Sequence, residues 1–144
     1  LDALHVELTA LLSRLDKKSR SALRREIAKT LRDSQKSRIA AQQNPDGSSY
    51  EPRKKQKDKK SRPRTLFAKL RTPAHLKTTT TADRALIHFA GRDNRIAAVH
   101  QFGLQDSPSK TTGHSISYPE RQLLGFTDAD IKTVEDLVFS HLAK

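Results

Sequence analysis

With 144 residues, the chain has room for one two-layer domain and an appendage. Only 34% of it is hydrophobic and the formal net charge is +12, which calls for an acidic partner, either nucleic acid or the acidic face of another protein. The lack of cysteine excludes disulfides and thiolate metal sites, and no apolar run approaches the ~18 residues of a membrane span.

Leu4, Leu8, Leu11 and Leu15 recur at helical spacing and predict a first amphipathic helix, broken at Asp16-Lys17-Lys18-Ser19. Ser19 or Ser21 is placed to cap a second helix that runs to about Gln43. Leu23, Ile27 and Leu31 fall on one face of it, continued weakly by Ser34 and Ala41. Arg25, Lys29, Arg32 and Lys36 fall on the opposite face, as either a solvated surface or a second contact for the acidic partner. Asn44-Pro45-Asp46-Gly47 ends the helix, because proline forbids helical continuation of the residue before it.

A basic arm follows. Arg53, Lys54, Lys55, Lys57, Lys59, Lys60, Arg62 and Arg64 stand against one acid, giving residues 53–64 a charge of +7 and leaving +5 to the rest of the chain. Such a block repels itself and has no apolar surface to bury, so it is expected to stay extended until something acidic meets it.

Beyond the arm, Thr65 to Arg71 reads as two helical turns closed by Pro73. Leu76 to Thr81 and Ala85 to Phe89, rich in threonine and in branched or aromatic residues, predict a β-hairpin. Asp93 or Asn94 is placed to cap a short helix to Phe102, with Ile96 and Val99 inward and Gly103 ending it. Residues 104–113 read as a polar loop, and His114 to Tyr118 as an edge strand stopped by Pro119. Thr127 and Asp130 resemble a capping box ahead of a last helix carrying Ile131, Val134, Val138 and Leu142 on one stripe. The fold class is α+β: N- and C-terminal helices packed on a small antiparallel sheet, with the long basic loop between the N-terminal helices and the sheet. One domain is expected over residues 1–144, divided into N-terminal helices (1–43), extended arm (44–64) and α+β core with C-terminal helix (65–144).

Catalytic chemistry finds no footing. The six histidines, His5, His75, His88, His100, His114 and His141, form no HExxH pair, and no phosphate-binding glycine loop is present. Pro45-Asp46 followed by Glu51-Pro52-Arg53 comes near the signature of metal-dependent nucleases. The basic position is an arginine that cannot give up a proton to activate water, and the segment reads as a turn. No catalytic, cofactor or metal site is expected. A lysine-rich arm can gain affinity for nucleic acid by releasing counterions, but residues 53–64 hold no aromatic on which bases could stack.

Three stretches resemble the tail completion, or virion morphogenesis, proteins of temperate contractile-tailed phages. The first is RIAAQQNPDGSSYEPRK, in which Gly47, Tyr50 and Pro52 fill the family's G-x-x-aromatic-x-P places before a basic run. The second is LFAKLRT followed by IAAVHQFGL, where Phe67, His100, Gln101, Phe102 and Gly103 match. The third is YPERQLLGFTDAD, which sets Pro119, Arg121, Leu124, Gly125 and Phe126 before the last helix. Glu120-Arg121-Gln122 departs from the family's more usual alanine-arginine-proline. The resemblance implies a structural protein with no enzymatic activity that acts late in assembly, at the head-proximal end of the virion tail or at the neck, after synthesis in the host cytoplasm. It implies a homo-oligomeric ring, commonly a hexamer, whose partners are its own copies and other tail and neck proteins. Non-specific contact with DNA in the channel is a further partner this placement allows, and no membrane is involved. The competing reading is a non-specific nucleic-acid-binding protein using its basic arm.

Overall fold

The computed structural model describes residues 13–53, 65–81, 84–107 and 113–143. Most of the expected first helix and all of the arm beyond Arg53 lie outside the described residues. What is described is α+β: three helices, one 3-10 turn and two small antiparallel sheets.

Helix α1 spans Lys17–Ala40. It starts earlier than Ser19 or Ser21 would place it, because Asp16 is the cap: its Oδ1 accepts the Ser19 backbone N–H at 2.7 Å. That bond holds the Asp16 carboxyl below its ordinary range. The Ser21 hydroxyl accepts instead from the Arg24 guanidinium. The helix ends short of Gln43 because Gln42 turns left-handed, with φ 59°, and the Gln43 N–H folds back onto the Arg38 carbonyl. Leu23 and Leu31 are buried as their spacing predicts, yet the same stripe continues into Gln35 and Arg38, both buried. Arg25, Lys29 and Lys36 are exposed.

Thr65 to Arg71 forms turns rather than a helix. Phe67 has φ 64°, a left-handed conformation that no α-helix tolerates. Strands β1 (Leu76–Thr80) and β2 (Ala85–Phe89) make the expected hairpin. A 3-10 turn, Gly91–Asp93, leads into helix α2, Asn94–Phe102. Asp93 occupies the cap position without a side-chain cap bond, its carboxylate lying 2.8 Å from His75 Nδ1 instead. Val99 is buried but Ile96 is half exposed, and Ala97 takes the inward position. Gly103 ends α2 with φ 62°, and a Cβ there would meet the Glu120 backbone nitrogen at 3.0 Å.

The expected edge strand shrinks to β4, Ile116–Ser117, and pairs antiparallel with β3, Gln105–Asp106, inside the stretch read as a loop. A two-residue strand is too short for alternation to register. Helix α3, Asp128–Leu142, opens on the expected capping box. Thr127 accepts the Asp130 N–H, and the Asp130 side chain accepts the Thr127 N–H. Of its expected stripe, Val138 is buried while Ile131, Val134 and Leu142 are partly buried.

The chain divides into two compact units. One comprises residues up to 34, 78–88 and 126 onward. In it Ser34 hydrogen-bonds Asp130, and His141 Nε2 lies 2.6 Å from Glu26 Oε2. The other comprises residues 35–77 and 89–125, with a core that includes Ile39, Tyr50, Leu66, Phe67, Leu76 and Leu123.

Candidate interaction surface

In the second unit, residues 122–125 are neither helix nor strand, so their backbone groups need partners from outside regular structure. Side chains supply them. Asn44 Oδ1 accepts the Gln122 N–H, and Gln101 Oε1 accepts both the Leu123 and Leu124 N–H groups. Gln101 Nε2 donates to the Leu124 carbonyl, and Gln35 Oε1 accepts the Gly125 N–H. Arg38, only 8% exposed, donates through Nη1 to the Gln122 carbonyl and through Nη2 to the Leu123 carbonyl at 2.8 Å. Tyr50 Oη also donates to Gln122. Gly125 has no room for a side chain, since a Cβ would lie 2.4 Å from Pro45 Cγ.

Arg121 repeats this device one residue earlier. It is 4% exposed; its Nε donates to the Glu51 carbonyl at 2.7 Å and its Nη2 to the Pro52 carbonyl. Its Nη1 faces His100 Nδ1 at 3.2 Å. An arginine can only donate, so that ring nitrogen accepts and the His100 proton sits on Nε2. Burial, followed by the charges of Arg121 and Arg53, pushes the His100 pKa down to about 4, so the ring is neutral at pH 7. Burial likewise lowers the Arg121 pKa, with Arg53 adding to it and Glu51 opposing.

His100 sits within an edge-to-face series. Tyr50 packs on Phe67 with ring centroids 5.6 Å apart, Phe67 on His100 at 4.8 Å, and His100 on Tyr118 at 5.1 Å. The left-handed backbone of Phe67 costs on the order of 1–3 kcal/mol, and two ring contacts of about 0.5–1.5 kcal/mol each offset it.

Both roots of the basic arm are therefore held. On one side Arg121 grips the carbonyls of Glu51 and Pro52, next to Arg53. On the other, Gln42 makes a paired contact with Leu66: its Nε2 donates to the Leu66 carbonyl and its Oε1 accepts the Leu66 N–H, both at 2.9 Å. Between them opens a cleft of about 750 Å³. Arg53, Arg92, Arg95 and Arg121 contribute its cations, Glu51 and Asp106 its acids, and Leu66, Ile96, Ile116, Tyr118 and Pro119 much of its apolar surface. Arg95 and Asp106 form an ion pair with each other. A smaller hollow in the first unit, lined by Lys17, Arg20, Arg24 and Arg25 with hydroxyl residues, has no comparable apolar floor.

The residues singled out from the sequence separate accordingly. Tyr50, Pro52, His100, Gln101, Arg121, Leu124 and Gly125 join in one bonded constellation, and Pro119 lines the cleft. Gly47 closes a turn by donating to the Asn44 carbonyl. Gly103 caps α2, Phe102 is 68% exposed, and Phe126 belongs to the other unit. Of the arm, Arg53 is described; Lys54, Lys55, Lys57, Lys59, Lys60, Arg62 and Arg64 lie outside the described residues. Sequence reasoning missed Gln35, Arg38, Gln42 and Asn44. The available signal was a pair of polar residues continuing the apolar stripe of α1. Among the described residues no group of three or more metal-ligating side chains could hold an ion, and no helix is long and apolar enough to cross a membrane.

Comparison with known proteins matches residues 1–143 to the model of the phage virion morphogenesis family. Tail completion protein S of Escherichia phage P2 is 40% identical over 141 residues, covering 95% of this chain and 93% of that protein. No solved structure gives a significant match.

Proposed function

The chain belongs to the phage virion morphogenesis family, and from that membership we propose that it is a structural protein of the virion tail, required for tail completion and for joining the tail to the head. The observation that carries this reading is the end-to-end similarity to a protein named for tail completion. In this reading, copies of the chain close a ring at the head-proximal end of the tail or at the neck, and the basic arm lies on an acidic surface of a neighbouring subunit or neck protein. The protein acts by binding rather than by catalysis.

The anchoring around the arm supports such a role. Arg121 and Gln42 hold its two roots in one unit, so an arm drawn onto a partner would transmit that contact to a structured body rather than to a loose tail. Neutralising Lys54, Lys55, Lys57, Lys59 and Lys60 together is expected to leave the isolated chain folded and to stop tail completion. Complementation of a phage lacking the gene, with particles counted by electron microscopy, checks this. Normal virions from the variant would overturn it. A ring predicts copies of the chain as a closed annulus at one end of purified tails, and a chain monomeric both in solution and in the particle would exclude it.

A further inference from the structure

The cleft between the roots of the arm combines two properties that a purely electrostatic contact does not need. Its cations outnumber its acids: Asp106 is already engaged by Arg95, which leaves Glu51 facing Arg53, Arg92 and Arg121. Arg121 spends its donors on carbonyls and on a neutral histidine, so its charge meets no carboxylate among the described ion pairs. His100, in contact with Arg121 here, is held neutral first by burial and then by the charges of Arg121 and Arg53. Beside these cations lies apolar surface in contact with water, where Ile96 is 51% and Ile116 is 40% exposed. The cleft also reaches the described residues on either side of the arm, since Arg53 and Leu66 both line it.

We propose that this cleft seats an extended acidic segment of a partner virion protein, placing one apolar side chain on the floor bordered by Ile96 and Ile116 and its carboxylates against Arg53 and Arg92. The inference rests on the reading that the arm meets an acidic protein surface, and adds where on this chain that surface is recognised. Arm and cleft contribute differently, because diffuse positive charge attracts and orients the partner while the apolar seat selects it. A nucleic-acid backbone fits less well, because it offers phosphates for the arginines but no side chain for the isoleucine floor. Arg92 is 67% exposed with its nearest acid, Asp93, 3.9 Å away, so it can reorient towards an incoming carboxylate.

The test uses two fluorescein-labelled peptides of alternating glutamate and threonine, one with a central leucine and one with a central serine, titrated with the full chain by fluorescence anisotropy. The leucine peptide is expected to bind about tenfold tighter, the increment of one seated apolar side chain. Ile116→Asp is expected to remove that advantage, and neutralising the arm lysines to weaken both peptides alike. Should Ile116→Asp lose its native circular dichroism, Ile96→Ser carries the same expectation. Equal affinity for the two peptides, binding of neither, or a leucine advantage that survives the cleft substitutions overturns the proposal. So does random duplex DNA that displaces the leucine peptide equally well from the wild type and from Ile116→Asp. Equal affinity of the wild-type chain for the two peptides, alongside failed tail completion in the arm variant, sinks the cleft and spares the tail-assembly reading. Normal virions from the arm variant sink the reading that the arm meets an acidic surface.

Discussion

The two units reach order by different physical routes. In the first, regular structure satisfies the backbone: α3 begins with a reciprocal cap between Thr127 and Asp130, and the hairpin carries threonines and branched residues. In the second, an irregular segment is held in place because Arg38, Gln35, Asn44, Gln101 and Tyr50 take up its carbonyl and N–H groups one by one. A capped helix loses one bond of many when a side chain changes. A clamp loses several at once, so damage in the second unit should be deeper and less local.

The largest effect is expected at Arg38. Arg38→Ala strands the carbonyls of Gln43 and Leu123 and takes one of two donors from the Gln122 carbonyl and from the Gln35 amide oxygen, which keep Tyr50 and the Gly125 N–H. A loss of about 3–5 kcal/mol in urea-denaturation stability is expected. A loss below about 1 kcal/mol would mean that water replaces the guanidinium and that the clamp is not what orders the segment. Thr127→Ala sharpens the other side of the contrast. It removes one cap and is expected to cost about 1 kcal/mol by the same measurement, leaving residues 122–125 as protected from amide exchange as before.

The third effect is set by pH and is the smallest. The folded chain holds His100 neutral down to about pH 4, whereas an unfolded histidine begins to take up a proton near 6.5. The unfolded state therefore binds more protons between those values. Stability from this group is complete above about pH 6.5, declines as pH falls, and is gone below about 4. The ring is only partly buried, so screening brings the change below about 1 kcal/mol. His100→Gln, which keeps an acceptor for Arg121, is expected to flatten that part of the pH–stability curve while lowering stability at every pH by about 1–3 kcal/mol, the two ring contacts it removes.

The contrast between the units also sets what sequence could reveal. Repeating patterns show through: Leu23 and Leu31 mark α1, the Thr127-Asp130 spacing marks the start of α3, and Gly103 marks the end of α2. The clamp has no period. Its partners lie far apart along the chain, with Arg38 and Leu123 separated by 85 residues, and each is an ordinary polar residue until the fold brings it to its target. Phe67 misled for a related reason, since a helical run of residue types cannot announce a left-handed backbone that ring packing stabilises. Ile96 misled because α2 turns the small Ala97 inward and leaves the larger side chain to line the cleft. The family resemblance marked Tyr50, His100, Gln101, Arg121 and Gly125 as a set without saying why they belong together. The bonds among their segments now give the reason.

The bonds from Arg121 and Gln42 fix the two points between which the arm must run, and this separates its length from the stability of the fold. Closing a loop between fixed points grows costlier only logarithmically, so doubling the number of residues there would raise the free energy by about 0.6 kcal/mol. The eleven residues from 54 to 64, tethered at both ends, can project their midpoint no more than about 20 Å. In the proposed assembly, distance to the partner, rather than the fold's tolerance, is then the quantity that selects how many residues the arm contains.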